Sequence, residues 1–438
     1  MFTKENILKH TKILLVLLIF HFVWTTFIKY QLWLDLNLDF LNNNIFNLWK
    51  DFYLIFIYAL ISIYAIKNNK ISKLKNTITY SLVSIIIISL LISLINFQWV
   101  KSIVLWFKYD IWFLFPIFFY SLLDITKKDL NKFYDLIIYI IKIVISLSLL
   151  FAIIRFTKPE LLQLIWYWPI WDWTLWTYPP MLYQTWFDGT QRISGIFSWP
   201  NHLAFYFIAF GWIILLSILN KKIDYKWWIA YLILLFWSLS RSWILAFGLE
   251  IFILSIFVWK NYKYWRKYVY YLFAVWFILV WTAWTYLFVS WKYKQVILRW
   301  ASTKWHIDRA NKALAWIKQK PLIWHWLGTA WPASHYTKAE IVPESWFLQI
   351  FYEIWILWWF VWFYFIFYLI YKLYKKSEIK YPYLLKKDIL FIWTSIGLIW
   401  LLFQWLVLHS FEDAMIVIPL FILIWILLAY NKQNDTKN

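Results

Sequence analysis

Side chains able to do chemistry are few in this chain, so the ones present stand out. Of 438 residues 15% are charged, and only six of the 43 basic residues are arginine. Five of those six, Arg155, Arg192, Arg241, Arg299 and Arg309, lie in or beside the stretches 154–199, 238–243 and 290–345. A guanidinium is a planar fork that grips phosphate with two parallel hydrogen bonds, which a lysine ammonium cannot do. This placement points to a phosphate or diphosphate partner. The last stretch also holds His325, His335 and Glu344, and His409 stands further on with Glu412 and Asp413. Glu344 and His335 are candidate bases, His325 is a candidate substrate contact, and His409, Glu412 and Asp413 are candidates to pair with basic residues. Each also has a plainer role: the histidines shape turns, Glu344 favours a helix N-terminus, and the 409–413 charges are solvated. Glu353 falls one to two turns inside an apolar run, where an ionisable group is a functional candidate by default. Cysteine is absent, which removes disulfides, thiolate metal sites and thiol nucleophiles. No HExxH, DxD or Cys/His cluster of metal-ligand spacing appears.

These residues must be positioned by elements that live in lipid. Hydrophobic residues make up 63% of the chain and mean hydropathy is +0.61. A soluble domain has roughly 45–50% apolar and about 25% charged residues. The fold class expected is an all-α integral membrane protein. Apolar runs near bilayer length lie at 13–28, 52–66, 79–98, 109–123, 136–153, 200–219, 227–240, 243–259, 269–289, 346–371, 388–408 and 415–430, about twelve transmembrane helices. Lysines follow every even-numbered run: Lys67 to Lys75, Lys127 to Lys132, Lys221 to Lys226, Lys260 to Lys267, and Lys372 to Lys387. The positive-inside rule makes those connections cytoplasmic, with both termini. The long stretches 154–199 and 290–345 then fall outside, with five of the six arginines. The organisation expected is N-terminal helices over 1–153, a core over 154–430 with the two outer loops, and a cytoplasmic tail 431–438. The location is the inner, cytoplasmic membrane, crossed many times. The net charge of +21 follows from inward lysines, so no nucleic-acid partner is expected; the lipid bilayer is the first partner.

Composition holds a second anomaly: 39 Trp against 6 Gly. Glycine at its usual share of about 7% would give about 31 residues. Lys, Ile, Asn, Phe and Tyr abound while Gly, Ala, Arg and Pro are scarce, the pattern of an AT-rich gene. Such a gene disfavours UGG, the tryptophan codon. One account covers both counts: a gene that reads UGA as glycine, translated with UGA as tryptophan. The competing account is a truly Trp-rich protein with interfacial aromatics. The first predicts that codons 199, 243, 324, 326, 355, 358, 359 and 362 are UGA and codon 346 is UGG.

Four short elements are informative. Residues 192–204 read RISGIFSWPNHLA, and residues 238–243 read SLSRSW. Residues 320–328 read KPLIWHWLG, and residues 343–358 read PESWFLQIFYEIWILW. With Trp199, Trp243, Trp324, Trp326, Trp355 and Trp358 read as glycine, they become RISGIFSGPNHLA, SLSRSG, KPLIGHGLG and PESWFLQIFYEIGILG. In this order they resemble the O-antigen ligase and O-antigen polymerase superfamily, over residues of about 185–430. Trp355 with Trp359, and Trp358 with Trp362, then become overlapping GxxxG patterns that let helix backbones approach closely.

The resemblance implies a metal-independent membrane glycosyltransferase of cell-surface polysaccharide biosynthesis. Such an enzyme moves a glycan from an undecaprenyl-diphosphate carrier to a hydroxyl of a glycan, lipid or protein acceptor at the outer face. It assigns Arg192 and Arg241 to the diphosphate, against a plainer reading as snorkelling helix ends. Arg309, after a candidate helix N-cap at Asp308, is a substrate contact or a solvated charge. Asn201 and His202 line the carrier groove, or Asn201 caps the helix from 200. The ligases carry a His-Asn pair where Glu344-Ser345 stands here. Glu344 is therefore the catalytic base if a dry site raises its pKa, with His335 as rival and His325 and His409 as further substrate contacts. The departure favours polymerisation or transfer to a surface acceptor over ligation to lipid A. Arg155 and Arg299 match no motif and read as structural. A different class remains open, a polytopic transporter or lipid-linked oligosaccharide flippase. Against it stand the lack of an internal repeat and the outward clustering of charge.

Overall fold

A computed structural model of the chain describes residues 2–21, 23, 48–95, 100–158, 161, 183–184, 191–197, 200–219, 222–238, 248, 252, 270–271, 274, 277–278, 281, 300–319, 345, 347–349, 351, 356–376, 386–405 and 414–430. In chain order the elements are α1 (Lys4–Ile19), α2 (Trp49–Lys67), α3 (Thr77–Ile95), α4 (Val100–Trp106), α5 (Phe115–Phe118), α6 (Lys127–Thr157), β1 (Tyr183–Gln184), β2 (Gln191–Arg192), α7 (Pro200–Leu219), α8 (Lys226–Trp237), α9 (Trp300–Gln319), α10 (Ile356–Lys376), α11 (Lys386–Trp405) and α12 (Ala414–Leu428). The described chain is thus mostly helical. Among its described residues three helices, Trp49–Lys67, Lys127–Thr157 and Pro200–Ile218, are long and apolar enough to cross a membrane. Shorter apolar helices occupy Thr77–Leu91, Trp112–Leu122, Lys226–Trp237 and Met415–Leu428.

Two compact units divide the chain, the first from residues 1–68, 127–296 and 380–393. Its α1 opens at Thr3, whose side chain accepts from the Asn6 amide at 3.3 Å, an N-cap that satisfies one orphan donor. The helix therefore begins in the polar segment ahead of the apolar run at 13–28. At 31 residues, α6 is about 46 Å long, against a hydrocarbon core of about 30 Å. Its polar first turns outrun the apolar core. There Asp129 meets Lys4 at 2.7 Å and Asp135 meets Lys386 at 2.5 Å, so the starts of α1, α6 and α11 share one end. Helix α7 begins with Pro200, suited to the first helical position because its missing N–H would be unpaired there anyway. That makes Asn201 the second residue of the helix and corrects its reading as the cap. Helices α7 and α8 pack together, and Gly211 lets them meet: a Cβ there would stand 2.1 Å from Tyr231 Cε2.

The second unit comprises residues 69–126, 297–379 and 394–438. Here the run 109–123 is not one helix, contrary to expectation. A π-helical turn over Phe107–Ile111 and 3-10 turns over Trp112–Leu114 and Tyr120–Leu122 flank the four-residue α5. Pro116 in the first turn of α5 has no N–H, and its ring excludes the carbonyl four residues back. Helix α12 packs on these turns, with Phe113 edge-on to Phe421 at 5.0 Å. The chain after them is tied to the end of α12 by Ile125 N–H donating to Ala429 O at 3.1 Å. The stretch 290–345, expected as a loop, contains the 20-residue α9. Asp308 lies inside that helix and is exposed, so it is not the N-cap.

Tryptophan fills much of the described interior. Trp106, Trp212, Trp362, Trp393, Trp400 and Trp425 are among the largest fully buried side chains. Trp393 Nε1 donates to Ala209 O at 2.6 Å. The indole N–H groups of Trp106 and Trp425 are buried and meet no acceptor among the described residues. A buried indole N–H ordinarily finds a partner, and leaving one unmade costs about 1–3 kcal/mol. Of the eight codons predicted as UGA, 358, 359 and 362 fall in α10, while Trp199, Trp243, Trp324, Trp326 and Trp355 lie outside the described residues, as does Trp346.

Candidate functional site

Arg192 ends β2 and pairs in register with Tyr183 across a two-residue antiparallel ladder. From there residues 193–197 run buried into the first unit. Ile193 N–H donates to the carbonyl of Trp237, the last residue of α8, at 3.2 Å. The Trp237 ring lies 5.5 Å from that of Phe156 near the end of α6, and Phe197 packs against Tyr206 of α7 at 5.1 Å. Gly195 has φ +59°, a left-handed conformation that costs other residues about 1–2 kcal/mol. A Cβ on Gly195 would stand 2.5 Å from Ser148 Oγ and 3.1 Å from Leu203 Cδ1. Both backbone angle and space therefore require glycine. The segment acts as a strap across α6, α7 and α8, and Arg192 stands at its entrance.

Helix α6 carries one polar group against the strap and a second further along. The Ser148 hydroxyl is buried and has no hydrogen-bond partner among the described residues. Arg155 lies seven residues further along α6, on the same helix face and about 10 Å nearer its end. Only 5% of Arg155 is exposed, and its guanidinium stands over the Phe156 ring at 6.0 Å. Sequence reasoning set Arg155 aside as structural. The available signal was the seven-residue spacing from Ser148, which sets both on one helix face. Asn201 is half-buried at the second position of α7, where helix N–H groups lack internal partners.

A second group of predicted residues lies in the other unit. Ser345 Oγ accepts from Leu348 N–H at 3.4 Å, and its carbonyl from Gln349 N–H at 2.9 Å. Ser345 is thus the N-cap, and Glu344 is the residue before it. Gln349 is fully buried, and neither its amide oxygen nor its amide nitrogen has a partner among the described residues. A buried amide with both ends unmade is rare in folded proteins, and Gln349 joins the candidates. Its signal was the Leu-Gln of the PESWFLQ motif. Ala313 and Ile317 of α9 pack against Leu348 and Phe351. Arg309, half-buried, is one turn ahead of Ala313 on the same face of α9.

Arg241, His325, His335, Glu344 and His409 lie outside the described residues, as do Glu353, Glu412 and Asp413. Among the described residues no three of His, Cys, Asp and Glu converge as metal ligands would. No protein-family model matches the chain, and no curated protein or solved structure does either.

Proposed function

We propose that the protein is a multi-pass glycosyltransferase of the cytoplasmic membrane, resembling O-antigen ligases and polymerases, that works on a lipid-diphosphate-linked glycan at the outer face. The observation that carries this reading is the buried glycine strap behind Arg192. RISGIF is the segment of the resemblance whose glycine has a demonstrable physical need, in both φ and close approach. The strap crosses three packed helices with residue 192 at its head, and in this reading the arginine there meets the lipid-borne diphosphate.

In this reading the arginines carry the donor. Arg192 and Arg241 bind the diphosphate of the undecaprenyl carrier, and the buried Arg155 adds a third positive charge. Glu344 takes the proton from the acceptor hydroxyl. The acceptor oxygen then bonds to the anomeric carbon while the bond from that carbon to the diphosphate breaks. Undecaprenyl diphosphate leaves with the bonding pair, and the guanidiniums stabilise the charge it gains. Arg309 and Gln349, with Asn201, His325, His335 and His409, contact donor or acceptor sugar. The acceptor is a growing glycan, a lipid or a protein side chain. Glu344-Ser345, standing where the ligases have His-Asn, favours acceptors other than lipid A.

The test is glycan transfer in membranes that contain the protein and a lipid-linked glycan, read as release of undecaprenyl diphosphate. Arg155→Gln, Arg192→Gln and Arg241→Gln each reduce the rate by about 10²–10³-fold, the cost of removing one preorganised oxyanion partner. Glu344→Gln removes the acidic limb of the pH–rate profile. Undiminished transfer in all four variants refutes the site. A protein that leaves the donor unconsumed with every acceptor class refutes the function.

A further inference from the structure

The second unit contains a cavity of about 570 Å³ whose wall the transfer reading does not use. Its side chains are Lys73, Tyr120, Asp124, Lys372, Lys375 and Lys376, joined by Ser121 and by residues 428–430. Four chain segments meet there: the connection after α2, the end of the broken run at 109–123, the end of α10 and the end of α12. The lysine pattern assigns all four to the cytoplasmic side. The volume falls within the roughly 300–1,000 Å³ of small-molecule sites.

Charge in the cavity is unbalanced. Four lysines line it with one carboxylate, and that carboxylate is already engaged: Asp124 takes Lys70 at 2.8 Å and Lys73 at 3.3 Å. Lys372, Lys375 and Lys376 sit at helical spacings of three and four, where like charges repel. Snorkelling accounts for an exposed lysine at a helix end. It does not account for Lys376, which turns back to donate to the carbonyls of Leu428 and Tyr430. Those carbonyls at the end of α12 hold a cation in place. Even so, burial and then the neighbouring Lys372 lower its pKa to about 8. The wall is built to hold ammonium groups together, and what relieves their repulsion is an anion. Basic pockets between membrane helices on the cytoplasmic side are a known form of headgroup site.

We propose that this cavity binds a phosphate-bearing anion: Lys372, Lys375 and Lys376 take its oxygens, while the Tyr120 and Ser121 hydroxyls add neutral donors. A phosphate fits better than a lone carboxylate because it offers more oxygens and charge to three lysines lining one cavity. The same chemistry is presented by an anionic glycerophospholipid headgroup and by a free phosphate compound.

The experiment uses the full chain in nanodiscs and reads the thermal midpoint together with native mass spectrometry. One arm titrates inorganic phosphate into phosphatidylcholine discs against chloride at matched ionic strength. The other replaces part of the phosphatidylcholine with phosphatidylglycerol. A rise in midpoint in the first arm identifies a free phosphate ligand. A rise in the second, with phosphatidylglycerol retained on the ejected protein, identifies the lipid. In whichever arm responds, Lys372→Gln/Lys375→Gln raises the concentration needed by about tenfold or more, the loss expected for charge-assisted contacts. Asp124→Asn, which removes the carboxylate from the wall, lowers it. No response in either arm, an equal response in the double variant, or weaker binding in Asp124→Asn overturns the proposal.

Discussion

The strap at Gly195 makes the sharpest structural prediction. Gly195→Ala does two separable things. It puts a Cβ on a residue at φ +59°, at a cost of about 1–2 kcal/mol. It also drives that Cβ to 2.5 Å from Ser148 Oγ and 2.8 Å from Ser148 Cβ, overpacking that costs about 1–3 kcal/mol. The sum is about 2–5 kcal/mol, or a fall in thermal midpoint of roughly 5–20 °C at about 2–4 °C per kcal/mol. A double-mutant cycle separates the parts. Ser148→Gly removes both contact atoms; its hydroxyl has no described partner to lose, and glycine in a helix costs about 1 kcal/mol. In that background Gly195→Ala should keep the backbone part, about 1–2 kcal/mol, and the 3.1 Å approach to Leu203 Cδ1, and lose the clash with Ser148. The assay is the thermal midpoint of the four solubilised proteins, with donor consumption measured alongside. Equal cost in both backgrounds refutes the contact; no cost in either refutes the left-handed strap and the positioning of Arg192 built on it.

Two further predictions concern other parts of the chain. Burial pushes the Asp124 carboxyl up, but the hydrogen bond and charge of Lys70 and the charge of Lys73 outweigh it, so its pKa lies below the ordinary carboxylate range. A depressed pKa contributes stability above the unfolded value of about 3.9 that is lost as pH falls through the lower folded value. Thermal midpoints measured from pH 7 down to about 3 should show an acid fall in the parent that is smaller in Asp124→Asn, which is less stable at neutral pH; parallel curves would show the pairing to be inert. Sequencing the gene tests the decoding directly: UGA is expected at 199, 243, 324, 326, 355, 358, 359 and 362 and UGG at 346. The buried indoles of Trp106 and Trp425, without an acceptor among the described residues, add codons 106 and 425 to the UGA set. UGG throughout would leave a genuinely Trp-rich protein and weaken the motifs.

Several apolar helices were legible because hydrophobic run length is a local property. The run at 200–219 became a helix over the same residues, and 415–430 and 388–408 shifted by only a few. Polar ends were less legible. Lys4 to Lys12 joined α1 through a Thr3 cap, and Lys127 to Asp135 joined α6, because capping and ion pairs extend a helix past its apolar stretch. The run at 109–123 failed as one helix at Pro116, whose missing N–H no hydropathy window registers.

Sequence alone determined that apolar runs near bilayer length dominate this chain, that charged residues are few, and that most of its arginines and lysines occupy different stretches. Composition and run length suffice for those facts, since transfer of apolar surface from water is additive along the chain. Tertiary structure alone decided which residues became neighbours. It put Ser148 against Gly195, buried Arg155 near the end of the same helix, left Gln349 buried with no partner for its amide among the described residues, and gathered four lysines along one cavity. Those pairings depend on helices far apart in sequence packing at angstrom separations, where one Cβ or one carbonyl decides the fit, and no local pattern encodes that.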